Sequence, residues 1–194
     1  MKKCLLILLI MSLCTGIVIP RKATAHPHVF IDTDVTIHST ADGVSSLDVV
    51  WTFDTMSSDM FLVDLDTNAD GTLSPEEWAA QRADIEGYLA EQSFYVHVIV
   101  GGERVFLQNV SEFVAKYENG VLTYSMKLPL SVKASGNTKV QVAIFDPTYY
   151  TDFYTPLDAV RVEGASNMEL TIDDAPELAF YQGQIIPAAI TFEV

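Results

Sequence analysis

The chain has 194 residues with 11 Lys and Arg against 26 Asp and Glu, a formal charge of −15. So acidic a surface repels phosphate chains and excludes a nucleic-acid partner. The 49% hydrophobic content is ordinary for a globular chain, which excludes wholesale disorder and favours one domain at this length.

Residues 1–25 read as a secretory signal. Lys2 and Lys3 form a basic start, an apolar stretch runs from Cys4 to Ile19, and Ala23-Thr24-Ala25 has the small-x-small form of a cleavage site. The stretch is short for a membrane span, so the mature chain is not expected to be an integral membrane protein. Both cysteines fall inside the signal, leaving none in residues 26–194 and no disulfide or thiol chemistry. Removing the four basic residues Lys2, Lys3, Arg21 and Lys22 takes the charge from −15 to −19. Bound cations are one way to offset that charge density.

From Val29 to Ile37 apolar residues alternate with polar ones, the period of a half-buried strand. Ala41-Asp42-Gly43 turns the chain, and Leu47, Val49, Trp51 and Phe53 mark a hairpin partner. Over 54–92 the pattern changes. Met56, Met60, Leu62 and Val63 suggest a short helix, and Trp78, Ile85, Tyr88 and Leu89 recur at helical spacing after Pro75-Glu76-Glu77, an acidic helix start. Short alternating runs follow at 94–100, 105–110, 113–117, 121–130, 139–145, 159–162, 168–172 and 190–194, separated by Gly, Asn and Asp turns. The predicted fold is mainly β, an antiparallel Ig-like β-sandwich forming a single domain over 26–194, with a helix-loop-helix inserted at 54–92.

The segment between the two helices carries the strongest chemical signal. In Asp66-Thr67-Asn68-Ala69-Asp70-Gly71-Thr72-Leu73-Ser74-Pro75-Glu76-Glu77, oxygen donors occupy loop positions 1, 3, 5, 9 and 12, glycine position 6 and an apolar residue position 8, the pattern of an EF-hand calcium loop. Asp66, Asn68 and Asp70 would converge on one ion, Thr72 would add its carbonyl, Ser74 would act through a water and Glu77 would close the shell. Gly71 permits the sharp turn. EF-hand sensors usually come in pairs, so a lone loop is expected to act as a structural clamp with a Kd on the order of 10⁻⁴ to 10⁻³ M.

A cut after Ala25 would expose His26-Pro27-His28, bringing a free amine and two imidazoles to one end of the chain. Nitrogen donors of this kind suit nickel, cobalt, zinc or copper. His97, Asp32 and the acids of 146–154 could add to His26 and His28, whereas His38 would stand too far along a straight strand. The bland alternatives are a polar terminus at His26 and His28, a hydrogen-bonded strand residue at His97, and packing or turn residues over 146–154.

The opening His26-Pro27-His28-Val29-Phe30-Ile31, with Trp51-Thr52-Phe53-Asp54, the acidic loop and Phe145-Asp146-Pro147-Thr148-Tyr149-Tyr150, resembles an uncharacterised bacterial family. It is a domain of unknown function often labelled the periplasmic component of an ABC-type transport system. The resemblance implies a periplasmic protein of a Gram-negative bacterium, encoded near inner-membrane nickel or cobalt permeases, and brings no enzymatic activity. A two-lobed α/β solute-binding fold has no counterpart in this strand-rich chain. The expected function is therefore an exported calcium-binding, metal-handling accessory to a transition-metal permease. One alternative is a non-enzymatic envelope interaction module with purely structural calcium. The other is a copper-dependent oxidative enzyme using the amino-terminal histidine.

Overall fold

The computed structural model describes residues 27–164 and 168–194; the signal expected over 1–25, and His26, lie outside the described residues. No helix among the described residues is long and apolar enough to cross a membrane.

Eleven strands among the described residues form two sheets. The first contains β1 (Val29–Thr40), β2 (Gly43–Phe53), β5 (Glu112–Glu118), β6 (Val121–Lys133), β8 (Thr151–Tyr154) and β9 (Val160–Gly164), in the order β5-β6-β2-β1, with β8 and β9 both on the far edge of β1. The second has β3 (Val96–Val100), β4 (Glu103–Val105), β7 (Lys139–Ile144), β10 (Thr171–Asp174) and β11 (Ala188–Glu193) in the order β10-β11-β7-β3-β4. Val29, Ile31, Val35 and Ile37 of β1 are buried while their neighbours are not, as the period-two pattern requires. These residues and Leu47, Val49 and Trp51 share one core with Val96, Val98, Val142, Ile190 and Phe192 of the second sheet.

The pairing departs from the antiparallel expectation at one edge. β1 pairs in parallel with both β8 and β9. Antiparallel neighbours follow from hairpins, but β8 and β9 come after the chain has left β7 of the other sheet, and a parallel partner needs such a crossover. Gly164 ends the β9 pairing at φ +119°, where a Cβ would lie 1.9 Å from the Ser39 carbonyl oxygen. The expected run at 105–110 is not a strand: β4 ends at Val105, Phe106 is exposed, and the Leu107 amide donates to Ser93 Oγ.

Between β2 and β3 lie α1 (Thr55–Leu65) and α2 (Pro75–Glu91). Asp54 caps α1, accepting from the Ser57 amide at 3.0 Å and the Ser57 hydroxyl at 2.5 Å, and its carboxylate also accepts from the Phe30 amide of β1 at 3.1 Å. The inward side of α1 is Ser57, Ser58, Leu62 and Leu65, whereas Met56, Met60 and Val63 face outward. Serine is tolerated inside because Ser58 Oγ accepts from the Leu122 amide at 2.9 Å and donates to the Phe53 carbonyl. Helix α2 begins with Pro75 after a capping box between Ser74 and Glu77, and docks through buried Trp78, whose ring meets Phe113 edge-on at 4.9 Å.

Candidate functional site

The acidic loop is held by its own carboxylates. Asp66 accepts from the amides of Asp70 (3.2 Å) and Gly71 (2.7 Å), drawing the chain into a tight coil with Gly71 at φ +81°. Asp70 accepts from the amide (2.9 Å) and hydroxyl (2.6 Å) of Thr72. Glu77 reaches back across the loop, accepting from the Thr67 hydroxyl at 3.1 Å, the Asn68 amide at 3.2 Å, the Ser74 amide at 3.0 Å and the Ser74 hydroxyl at 2.7 Å. The Ser74 amide and hydroxyl do most to hold the Glu77 carboxyl at about 2; burial opposes them, and the Asn68 amide and Thr67 hydroxyl add lesser lowering effects. Asp70 is lowered as well, by the Thr72 hydroxyl first, then the Thr72 amide and the Asn68 side chain.

Six of the predicted calcium residues, Asp66, Asn68, Asp70, Thr72, Ser74 and Glu77, thus sit on one coil that joins the two helices. Their donor atoms are all oxygens, the set a hard divalent cation takes. The carboxylates are engaged with amides and hydroxyls of the loop itself. Among the described residues, no three His, Cys, Asp or Glu side chains are close enough to hold one metal ion.

Among the described residues the histidines are not brought together. His28 is exposed at the start of β1, its ring 5.2 Å from that of Tyr150, while its predicted partner His26 lies outside the described residues. His97 stacks on Phe145 at 3.8 Å and donates from Nε2 to the Phe145 carbonyl at 3.0 Å; burial holds it in the neutral form, with its pKa below the usual value. That is the hydrogen-bonded strand residue of the bland alternative. His38 forms a 2.7 Å pair with Asp48 across the β1–β2 hairpin, with Glu163 and Lys127 beside it. Asp32 is exposed on β1. Asp146 is buried and organises its own turn, accepting from the amides of Thr148, Tyr150 and Thr151 and from the Thr148 hydroxyl.

A cavity of about 790 Å³ between the helix pair and the inward faces of β1, β2 and β8 was not anticipated. Its wall is largely aromatic, with Trp51, Phe53, Tyr95, Tyr124 and Phe153, and the polar groups come from α1, α2 and the 146–151 turn. Tyr95 is placed there by a left-handed turn in which Ser93, Phe94 and Tyr95 have φ of 53°, 53° and 54°. Left-handed backbone costs about 1–2 kcal/mol per non-glycine residue, and burial of Phe94 and Ser93 keeps the turn in place. Burial raises the Tyr95 hydroxyl well above its ordinary value, helped by the Tyr88 hydroxyl 3.2 Å away and by the charge of Asp146. The alternation of Trp51 with Phe53 signalled an inward aromatic face; the far-separated residues that complete the wall gave no local signal.

Fold and site together define a mainly β protein with an inserted helix pair joined by an acidic loop and standing over an aromatic cavity. The chain belongs to the family described as "Protein of unknown function (DUF1007)", whose model matches residues 11–179. It is also similar to an "Uncharacterized 15.5 kDa protein in trpE 3'region" of Spirochaeta aurantia, 23% identical over 129 residues, which cover 65% of this chain and 92% of that protein. A family of unknown function is what the sequence motifs anticipate.

Proposed function

We propose that the protein is an exported, non-enzymatic binding module of the bacterial envelope, with an Ig-like sandwich clamped by calcium at an EF-hand loop. The observation that carries this reading is the loop itself: Glu77, in the first turn of α2, reaches back to Thr67 and Asn68 just past the end of α1, so one ion there would fasten both helices. The oxygen donors of Asp66, Asn68, Asp70, Thr72, Ser74 and Glu77 would hold it, and its charge would relieve the repulsion of three carboxylates. His38 and Asp48, the one close His–Asp pair among the described residues, lie on the first sheet away from the cavity wall, which favours binding over hydrolysis.

Transition-metal delivery to a permease rests on His26 and His28 alone, because His97 is committed to Phe145. Calorimetric titration of the mature chain with calcium up to about 10 mM, beside native mass spectrometry for ions held more tightly, separates the two readings. One calcium per chain, absent from Glu77→Gln, supports the module. Nickel, cobalt, zinc or copper retained without calcium, and lost in His26→Ala with His28→Ala, would replace it with metal delivery.

A further inference from the structure

The 790 Å³ cavity falls within the range of about 300–1,000 Å³ typical of small-molecule sites. Two independent features of its wall define what it would hold. The first is the aromatic surface: Tyr88 and Tyr150 are exposed on it and Tyr95 and Phe153 half-buried, offering ring surface that attracts organic cations and apolar bodies alike, over a base in which buried Trp51 packs 5.1 Å from Phe153.

The second is charge. Every charged residue on the wall is an acid, namely Asp64 at the end of α1, Asp84 on α2 and Asp146 in its turn, with no Lys, Arg or His among them. None of the three takes part in an ion pair among the described residues. Asp146 is 4% exposed and accepts from the Thr148 amide and hydroxyl and from the Tyr150 and Thr151 amides. A carboxylate ligand would meet like charge at each of these positions.

We propose that this cavity binds an amphiphilic organic cation. Its apolar chain or ring lies on the aromatic wall, and Asp64, Asp84 and Asp146 draw its ammonium group. None of the wall residues belongs to the 66–77 loop, so a chain that ignores calcium can still bind such a ligand.

The test is calorimetric titration of the mature chain with octanoylcholine, octyltrimethylammonium, octanol and octanoate, which share a short apolar chain and differ in head group. Both cations are expected to bind more tightly than the alcohol, and the carboxylate most weakly. Asp64 and Asp84 are both exposed, so the pair Asp64→Asn and Asp84→Asn leaves the fold and the affinity for octanol unchanged. It weakens both cations by roughly three- to tenfold, as expected of two part-solvated charges. Octanoate binding as tightly as the cations, saturable heat from none of the four, or a cation preference unaltered in the double variant would overturn the assignment.

Discussion

Calcium should raise the melting temperature of the mature chain by a calculable amount. The Glu77 carboxylate already accepts from Thr67, Asn68 and Ser74, and Asp66 and Asp70 from the loop amides, so an ion must replace those bonds. That places its affinity at the weak end for such loops, with a Kd on the order of 10⁻⁴ to 10⁻³ M. At ~10 mM calcium the free ion stands about 10–100 times above that Kd, and linkage gives about 1.4–2.7 kcal/mol. For a chain of this size about 1 kcal/mol moves the midpoint by about 2–4 °C, so the shift is roughly 3–10 °C. Asp70→Asn makes the sharpest variant. Its amide oxygen keeps both Thr72 bonds, so the melting point in chelator stays within about 2 °C of the parent, while one of three anionic ligands is gone and the calcium response collapses. Scanning calorimetry in chelator and in calcium measures both. A parent chain indifferent to calcium, or an Asp70→Asn chain with the full shift, would refute the clamp.

Further outcomes follow from single contacts. Asp54→Ala removes the α1 cap and orphans the Phe30 amide, and should cost about 1–2 kcal/mol in denaturant unfolding; a loss below about 0.5 kcal/mol contradicts the role. Glu77, held at about 2 by Ser74 foremost, ionises more readily folded than unfolded; its contribution is complete above about 4.5 and disappears as pH falls toward about 2. A carboxyl resonance of Glu77 titrating near 4.5 would show that the bonds to Ser74 do not form in solution. Burial pushes Tyr124 up to about 12 against an ordinary value of 10, so its contribution is full below about 10 and is lost as pH rises toward about 12. In an alkaline absorbance titration this tyrosine, like Tyr95, ionises late, and normal ionisation of every tyrosine would mean an open core.

What could be read from the sequence was what neighbouring residues determine. The alternation of Val29 to Ile37 yields β1 because burial on one face needs only local period two. Pro75 with Ser74 and Glu77 marks the start of α2, and the spacing of Asp66, Asp70 and Gly71 gives a coil those side chains close themselves. Features made by distant partners were hidden. Thr151–Tyr154 reads as a turn-rich tyrosine segment, yet it is a strand because Val29 to Asp32, far earlier in the chain, supply its ladder. For the same reason the site was only half visible. The loop lies in twelve consecutive residues, whereas the cavity is assembled from Trp51, Tyr124, Phe153 and the helix faces, which meet only after the sheets have formed.

The loop and the cavity share a mechanical element in Gln81, which makes their connection measurable. Its side-chain nitrogen donates to the Leu65 carbonyl at 2.9 Å, tying the middle of α2 to the last turn of α1, and both residues lie on the cavity wall. The Asp66 amide closes that same turn on the Leu62 carbonyl at 2.8 Å. A carbonyl at a helix end without an intrahelical partner needs a donor from elsewhere, and losing this one costs about 1 kcal/mol. Gln81→Ala should therefore raise hydrogen exchange at Leu65 and Asp66 by about fivefold, leaving the β2–β6 amides as protected as before, because local opening draws on the last turn and not on the whole core. Calcium should slow the same two amides, since the ion would grip the chain one residue beyond. If Gln81→Ala leaves exchange there unchanged, the helix pair is held by Trp78 and the sheet contacts alone, and an ion in the loop would have no path to the cavity.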